Sequence, residues 1–253
     1  MFSQNTTYKY IAEYEVHWQP DSIDTKSKVK LENYKLLFSN NISMFIGGNR
    51  LGLDSLIFNK YAKLNDMNKL MSLPKPTSNK RIFNNNSDTL EIINEVRGQL
   101  FKYKDYVKLK WKILKETDSI NNMPVKKAIT TFRGRKYIAF FNENINAPFG
   151  PYKFFGLPGL IIRIYDNKNH ISFDLIKLEN YNKKLILDYS SEVTLTQKKD
   201  FKKAEEQYKT NPIPYMESQG AVFSEETKRV IREKFRKRNE KTNNPIELKE
   251  DDE

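Results

Sequence analysis

The chain has 253 residues, no cysteine and a formal net charge of +12, with 38% hydrophobic and 13% aromatic residues. The lack of cysteine excludes disulfides, thiolate nucleophiles and cysteine-ligated zinc, and no apolar run reaches the roughly 20 residues of a membrane-spanning helix. Nucleic-acid binding is not indicated, because Lys and Arg are spread along the whole chain and form no recognisable module. The aromatic content favours strands, since Phe and Tyr suit a pleated surface.

The first element, "TYKYIAEYEVHW", is predicted to be a strand because its hydrophobic period is two. Its apolar side is formed by Tyr8, Tyr10, Ala12, Tyr14, Val16 and Trp18. Two more strands follow in "VKLENYKLLF" and "ISMFIGG", with Asn40 and Asn41 as the tight link between them. The N-terminal part is therefore predicted to be an antiparallel meander.

The hydrophobic period then changes to that of a helix, which predicts an amphipathic helix over 51–64. Residues 72–88 are rich in Pro and Asn and are predicted to form a loop. Strands resume in "TLEIINEVRG" and "YVKLKWKIL". Two hairpins follow, one turning at Arg133 and Gly134 and the other at 166–169, and "KLILDYS" adds a last strand.

Helical spacing returns beyond Glu192, where Thr196 and Ser224 are predicted to cap two helices. The second helix is mostly basic, and the acidic end, "ELKEDDE", is predicted to fray. The chain is thus divided into an antiparallel β domain, 6–192, and a basic helical extension, 193–253. The predicted fold class is mainly β (α+β), a large curved antiparallel sheet of about 8–11 strands with a short helix after the third strand and two C-terminal helices.

Residues that would carry catalysis form no recognised pattern. The two histidines, His17 and His170, lie in predicted strands, and no Gly-x-Ser-x-Gly elbow is present. The glycines of "FIGGNRLG" lack the Lys and the spacing of a phosphate-binding loop. A hydrolase that uses Asp and Glu stays open as an alternative, because paired acids are recognised by their separation in space. No metal site and no cofactor are predicted.

Candidate binding residues occur at two places. Arg133, Arg135 and Lys136, at the tip of a hairpin, could dock an anion or a carboxylate, although charged hairpin tips also serve solubility alone. The aromatic residues that follow could line a ligand cavity or fill the core. Those assigned to binding are Tyr152, Phe154 and Phe155.

The stretch "GPYKFFGLPGLIIRIYD" combines turn residues with a strongly apolar run. Pro158 and Gly159 are predicted to form the centre of a type II turn, because Pro presets φ and Gly accepts a positive φ. An earlier corner is expected at Gly150. The residues that form this structural signature are Gly150, Pro151, Gly156, Leu157, Pro158, Gly159 and Leu160.

This stretch, together with "KKAITTFRGRKYIAFFNENI" before it, closely resembles the signature of the GLPGLI family, also called the Porph_ging family, of secreted or envelope proteins of Bacteroidota. "YKYIAEYEVHWQPDS", "WKILKETDSI" and "NNPIEL" resemble its first strand, its middle segment and its usual ending. The resemblance implies export through a signal peptide and a mainly β domain, with the GLPGLI core at about 125–180. It supplies no catalytic residues, because the role of the family is not established.

The opening "MFSQN" resembles the tail of a cleaved signal sequence with an added start Met, which predicts a mature periplasmic or secreted protein. The predicted function is that of a non-enzymatic envelope protein whose curved sheet binds an apolar, lipid-like ligand, a peptide or a partner protein. One alternative is a carboxylate-dependent hydrolase or peptide-processing enzyme. The other is an accessory subunit of an outer-membrane assembly that works through the basic C-terminal helix.

Overall fold

The computed structural model describes residues 3–57, 72, 74–189 and 193–249, and the strands among them form one 13-stranded sheet. The strands are β1 (Ser3–Trp18), β2 (Val29–Lys30), β3 (Tyr34–Phe38), β4 (Ser43–Gly47), β5 (Arg81–Asn84), β6 (Thr89–Val96), β7 (Gln99–Tyr106), β8 (Lys112–Ile120), β9 (Met123–Phe132), β10 (Arg135–Asn142), β11 (Leu160–Asp166), β12 (Ile171–Asp188) and β13 (Val193–Leu195). The helices are α1 (Gly48–Ile57), α2 (Lys198–Thr210), α3 (Ile213–Ser218) and α4 (Glu225–Glu240), with a 3-10 turn at Thr25–Ser27.

The strand order is β13-β7-β6-β5-β4-β3-β1-β12-β11-β10-β9-β8, and β2 pairs with the end of β1. Every pairing is antiparallel except that of β13 with β7. The two longest strands, β1 and β12, lie side by side in the middle, with Tyr14 opposite Leu175. The two strands that pair in the middle of the sheet are therefore far apart in the sequence.

The predicted mainly β class and the antiparallel arrangement are confirmed. The sheet has more strands than predicted. The single strand predicted for "VKLENYKLLF" is divided into β2 and β3, β5 lies inside the predicted loop 72–88, and β7 and the short edge strand β13 were not predicted. The separate last strand predicted for "KLILDYS" is wrong, because residues up to Asp188 continue β12. The strand predicted for "YVKLKWKIL" is wrong at 107–111, which lies between β7 and β8. There the Trp111 Nε1 donates a hydrogen bond to the carbonyl of Phe155 at 2.8 Å.

The sheet separates two cores. We call the face with the larger core the front face; its members include Tyr14, Phe45, Ile92, Tyr137 and Phe173. The back face has a smaller core that includes Leu37, Met44, Phe83 and Leu187, and α1 packs there through Leu51. Leu36 and Leu37, adjacent in β3, belong to opposite cores, so β3 is buried on both sides.

The loop between β10 and β11 lies on the front face and contains the predicted signature. Phe149 and Phe155 pair across it as an isolated bridge, and Tyr14 Oη donates to the carbonyl of Ile161 at 2.6 Å. The predicted type II turn is not formed, because Gly159 has φ +154° and its amide donates to the carbonyl of Leu157 at 2.8 Å. The glycine is needed instead because the backbone at Asn142 passes very close to it.

The C-terminal helices pack at the front of the sheet. Phe201 of α2 stacks on Tyr103 at 4.8 Å between ring centroids. Ser224 caps α4 as predicted, accepting from the amide of Thr227 at 3.2 Å, whereas Gln197 and not Thr196 precedes α2. The predicted helix 51–64 begins within α1, and its end falls outside the described residues. No helix in the described ranges combines the length and apolarity that crossing a membrane requires.

Candidate functional site

The C-terminal segment, which we define as residues 243–249, returns from α4 and lies on the front face. Successive carbonyl groups of this segment accept hydrogen bonds from side chains of the sheet. Trp18 Nε1 donates to Asn244 O at 2.8 Å, Arg135 Nη2 donates to Pro245 O at 2.6 Å, and Tyr137 Oη donates to Ile246 O at 3.1 Å. The sheet thus binds the backbone of a segment that is neither helix nor strand and that bends at 246, 248 and 249.

Two further groups of contacts hold this segment. The amides of Leu248 and Lys249 donate to the carbonyl of Arg133 at 3.0 and 3.2 Å. The Asn244 side chain donates to the carbonyl of Gln19 at 2.7 Å. The end predicted to fray starts at Glu247, and its described part, 247–249, is held by these bonds and by the ion pairs of Glu247.

Glu247 enters a group of polar and charged side chains that we call the front-face cluster, in which Asp105, Arg133, Tyr152 and Lys153 are buried and Lys80, Lys198 and Glu247 are half-buried. Lys153 Nζ lies 2.5 Å from both Asp105 Oδ2 and Glu247 Oε1 and so links the two carboxylates. Arg133 also contacts both, with Nη2 donating to Asp105 Oδ1 at 2.6 Å and Nη1 donating to Glu247. Lys198 lies 2.9 Å from Asp105 Oδ1.

Local backbone geometry places the members of the cluster. Arg133 occupies the β9–β10 turn with φ 44°, followed by Gly134 with φ 83°. Tyr152 also has a left-handed backbone, with φ 57°, inside a turn closed by the Phe154 amide and the Pro151 carbonyl at 3.1 Å. Left-handed geometry is unusual for residues other than glycine, and it collects at functional sites. Here it directs Tyr152 and Lys153 at the same carboxylate.

The cluster holds both carboxylates in the charged form. Burial alone would raise the pKa of Asp105, but Arg133 and Lys153 outweigh it and keep the pKa well below the usual range. Burial likewise opposes ionisation of Glu247, and Lys153, Lys80 and Arg133 together hold its pKa far below normal. Burial, and then the charge of Glu247, raise the pKa of Tyr152 well above its usual value, so its phenol stays neutral and donates to Glu247.

Lys80 lies at the edge of the cluster without a hydrogen-bond acceptor for its ammonium among the described residues. Its Nζ is 5.4 Å from the centroid of the Tyr152 ring. Burial first, and the charge of Lys153 second, lower its pKa to about 8, although Glu247 acts in the opposite direction. An ammonium in this position destabilises the fold, and such groups are common where a ligand supplies the missing counter-charge.

Replacing Lys80 by Met should stabilise the fold by about 1 to 3 kcal/mol at pH 7, because one pKa unit corresponds to about 1.4 kcal/mol. Below pH 8 Lys80 is charged in both states, and the folded state bears the cost. Above pH 8 the folded protein releases this proton, while the unfolded chain keeps it up to about pH 10.5. The difference in unfolding free energy between the variant and the wild type should therefore shrink over that range. Urea unfolding at pH 7 and pH 10.5 measures this stability difference, with exposed Lys136→Met as the control. A stability difference that does not depend on pH would contradict an unfavourable charge on Lys80.

The residues predicted for binding separate into three groups. Arg133 and Tyr152 belong to the front-face cluster. Arg135 lies beside it and bonds Asp166 at 3.0 Å as well as the C-terminal segment, whereas Lys136 is exposed on the other side of β10. Phe154 and Phe155 are buried in the front core, where a void of about 10 Å³ remains beside them. Such a void holds at most one water, so the aromatic residues fill the core.

Sequence reasoning missed Asp105, Lys153 and Glu247. Lys153 stands inside the conspicuous "GPYKFFGLPGLI" stretch and Glu247 inside "NNPIEL", so both lay within segments that had attracted notice. In β7, Asp105 stands in phase with Phe101 and Tyr103, on the side that the alternation marks as buried, whereas Lys102 and Lys104 lie on the other side. A carboxylate at a buried position needs a partner, so this break in the pattern was a signal that could have identified Asp105.

The paired carboxylates of the cluster do not suit acid–base catalysis. A general acid needs a pKa raised towards the working pH, whereas Asp105 and Glu247 are both shifted downwards and are both surrounded by cations. Their arrangement fixes charge in place instead of transferring a proton. Among the described residues, no three or more His, Cys, Asp or Glu side chains are grouped so as to hold a metal ion.

A second buried ion pair lies on the back face, and its polar groups bond to other groups of the same chain. Asp54 accepts from Arg81 at 2.7 and 2.8 Å and from Tyr189 Oη at 2.6 Å. The remaining Nη1 of Arg81 donates to the carbonyl of Asn79 at 2.7 Å. This pair comes from fixed elements of the sheet and α1, whereas the front-face cluster is completed by a terminal segment.

Comparison with known proteins bears on the fold. No family model matches the chain, and no curated protein matches it. Two solved structures of PNGF-II, in space groups P21 and C2, superpose with TM-scores of 0.55 and 0.54 at 14% identity over 78% of this chain. The chain covers 33% and 32% of those chains, about a third of their length. At this identity the similarity shows a shared fold alone.

Proposed function

We propose that this chain is a non-enzymatic binding protein that takes an acidic peptide segment on the front face of its sheet. Its own C-terminal segment occupies that position in cis. The observation that carries the proposal is the mode of contact: side chains of β1 and β10 bind successive backbone carbonyls, and one carboxylate enters the cationic front-face cluster.

These contacts are those by which proteins recognise peptides. Bonds to the backbone give affinity for any extended chain, and a pocket for one side chain gives specificity. Glu247 is the specificity group here, because its side chain meets Arg133, Tyr152 and Lys153 together. Lys80 adds a further positive charge that no described acceptor uses, so the cluster favours an anionic group. The small void in the front core gives no support to an apolar ligand.

Exchange of the segment after folding tests the proposal. A protease recognition sequence is inserted after Thr242, the folded protein is cut, and fluorescein-labelled peptide 243–253 is added. We expect saturable exchange, seen as a rise in fluorescence anisotropy. A peptide with Glu247→Gln should bind at least about 30-fold more weakly, since losing one partner of a buried charge pair costs about 2 kcal/mol or more.

The matched control is a peptide with Lys249→Gln, which changes an exposed charge and should bind as the parent does. Circular dichroism after cleavage separates the outcomes. If the cut protein unfolds, or if the labelled peptide never exchanges while the fold persists, the segment is a permanent part of the fold and the proposal fails.

The predicted periplasmic or secreted location and the resemblance to the GLPGLI family enter this proposal as predictions. They make an envelope protein or an exported peptide the natural source of the segment. Contact with an outer-membrane assembly through α4 is a separate possibility, and deleting 224–253 would not isolate it, because the deletion also removes Glu247. Charge reversal on α4 with the C-terminal segment intact tests that role.

A further inference from the structure

A cleft of about 600 Å³ lies at the end of the β6–β7 hairpin, beneath α2 and α3, away from the front-face cluster. Its walls include Arg97, Gln99, Leu100, Phe101, Tyr215 and Gln219. Arg97 is the charged residue of this lining.

The guanidinium of Arg97 lies against two aromatic rings, whose planes are nearly perpendicular to each other at 87°. Its Cζ lies 5.5 Å from the ring centroid of Tyr208 and 5.1 Å from that of Tyr215. Tyr215 also donates its hydroxyl to the Arg97 carbonyl at 2.7 Å, which ties α3 to the hairpin. Cation–π contacts of this kind stabilise the charge but accept no hydrogen bond from the N–H groups along the edge of the guanidinium, which therefore need another partner.

That edge lacks a partner in the described part of the chain. The Nε of Arg97 is buried there without an acceptor, and none of the ion pairs in these ranges includes Arg97. A buried donor without an acceptor costs about 1 to 3 kcal/mol, so such groups need an explanation. The Arg97 site therefore differs from Arg81 and Arg133, whose guanidinium groups bind carboxylates of the same chain.

The backbone conformation of Arg97 is a second, independent observation. Arg97 has φ 62° and Gly98 has φ 77°, the geometry of a two-residue hairpin turn that usually takes Asn or Gly at the first position. An arginine there accepts local strain, and strained residues concentrate at binding sites. The strain places the guanidinium in the cleft, between α2, α3 and the turn.

We infer that the Arg97 cleft binds a carboxylate attached to an apolar group. A planar guanidinium fork matches a carboxylate in bidentate geometry. The lining has one cation, which balances a single negative charge, and so favours a carboxylate over a phosphate dianion. Phe101, on the front side of β7, and Ala204 of α2 provide the apolar wall, whereas the side chain of Leu100 packs in the back core. The exposed amide of Gln219 stands at the rim.

The test uses the full chain and three probes: 3-phenylpropionate, its uncharged amide and inorganic phosphate. The reporter is the Nε–H resonance of Arg97 in ¹⁵N-edited NMR, which needs no mutation. We expect a saturable shift with the carboxylate and a dissociation constant on the order of 1 mM, as suits a small ligand. The amide should leave the resonance unchanged, and phosphate should act more weakly.

Variants extend the test. Arg97→Gln should weaken binding of the carboxylate at least about tenfold, measured by calorimetry or on neighbouring backbone amides, whereas exposed Arg232→Gln on α4 should bind normally. The absence of a saturable shift up to about 50 mM carboxylate in the unmodified protein would overturn the site. An equal or stronger response to phosphate would overturn the assignment of a carboxylate.

Discussion

Asp105→Asn is expected to destabilise the protein by about 3 to 5 kcal/mol at pH 7, the usual cost of removing one partner from a buried group of ion pairs. The side chain of Asp105 is fully buried and contacts Arg133, Lys153 and Lys198. An amide keeps the size of this side chain but loses its charge, so these cations would lie near one another with Glu247 as their remaining carboxylate in the cluster. Urea unfolding followed by circular dichroism measures the difference in unfolding free energy between the variant and the wild type.

The pH dependence shows whether charge is the cause. The folded pKa of Asp105 is lowered, so its contribution to stability is complete above the unfolded value of about 3.9 and is lost as pH falls towards the folded value. The difference between the wild type and Asp105→Asn should therefore narrow below about pH 4. The control is Asp118→Asn on exposed β8, for which we expect less than about 0.5 kcal/mol. A penalty that stays the same at low pH would indicate altered packing instead of lost charge.

Gly159→Ala is expected to cost about 3 kcal/mol or more, through backbone strain and overpacking together. A Cβ at this position would lie 2.2 Å from the carbonyl oxygen of Asn142 and 2.6 Å from its carbonyl carbon. Both atoms belong to the backbone at the end of β10, which cannot move without disturbing the sheet. The φ of +154° is itself unfavourable for alanine.

Gly220→Ala provides the matched comparison for this substitution. Gly220 also has a positive φ, 88°, but a Cβ there would meet no atom within 4 Å. Its cost should be about 1 kcal/mol, the strain alone. Thermal unfolding of both variants separates strain from steric contact. Equal losses of stability would show that the approach of Asn142 to Gly159 is unimportant.

The sequence predicted those elements whose signal is local. The period of two in β1, the Arg133-Gly134 turn and the Ser224 cap each depend on residues a few positions apart, and all three are present. The predictions that were wrong involve competition with distant groups. Residues 107–111 alternate like a strand, but Trp111 bonds the carbonyl of Phe155. Gly159 suits a type II turn, but its conformation is decided by the backbone of Asn142.

The candidate site could be predicted only in part. The positive charge at the hairpin tip predicted a possible docking point for an anion or a carboxylate, and docking of a ligand there stays a prediction. In the structure Arg133 binds two carboxylates of the same chain. The pairing of Arg133 with those carboxylates was beyond reach, because Asp105 lies 28 residues before Arg133 and Glu247 lies 114 residues after it. No periodic pattern relates positions so far apart.

By itself the sequence determined the mainly β class and local elements such as β1, the Arg133-Gly134 turn and the Ser224 cap, because hydrophobic period and turn chemistry act within a few residues. Only the tertiary structure decided that Lys153 meets Asp105 and Glu247, and that the C-terminal segment lies on the front face. The physical reason is that buried charges must be paired, and the partner of each was chosen by how distant strands, a loop and the chain end pack together.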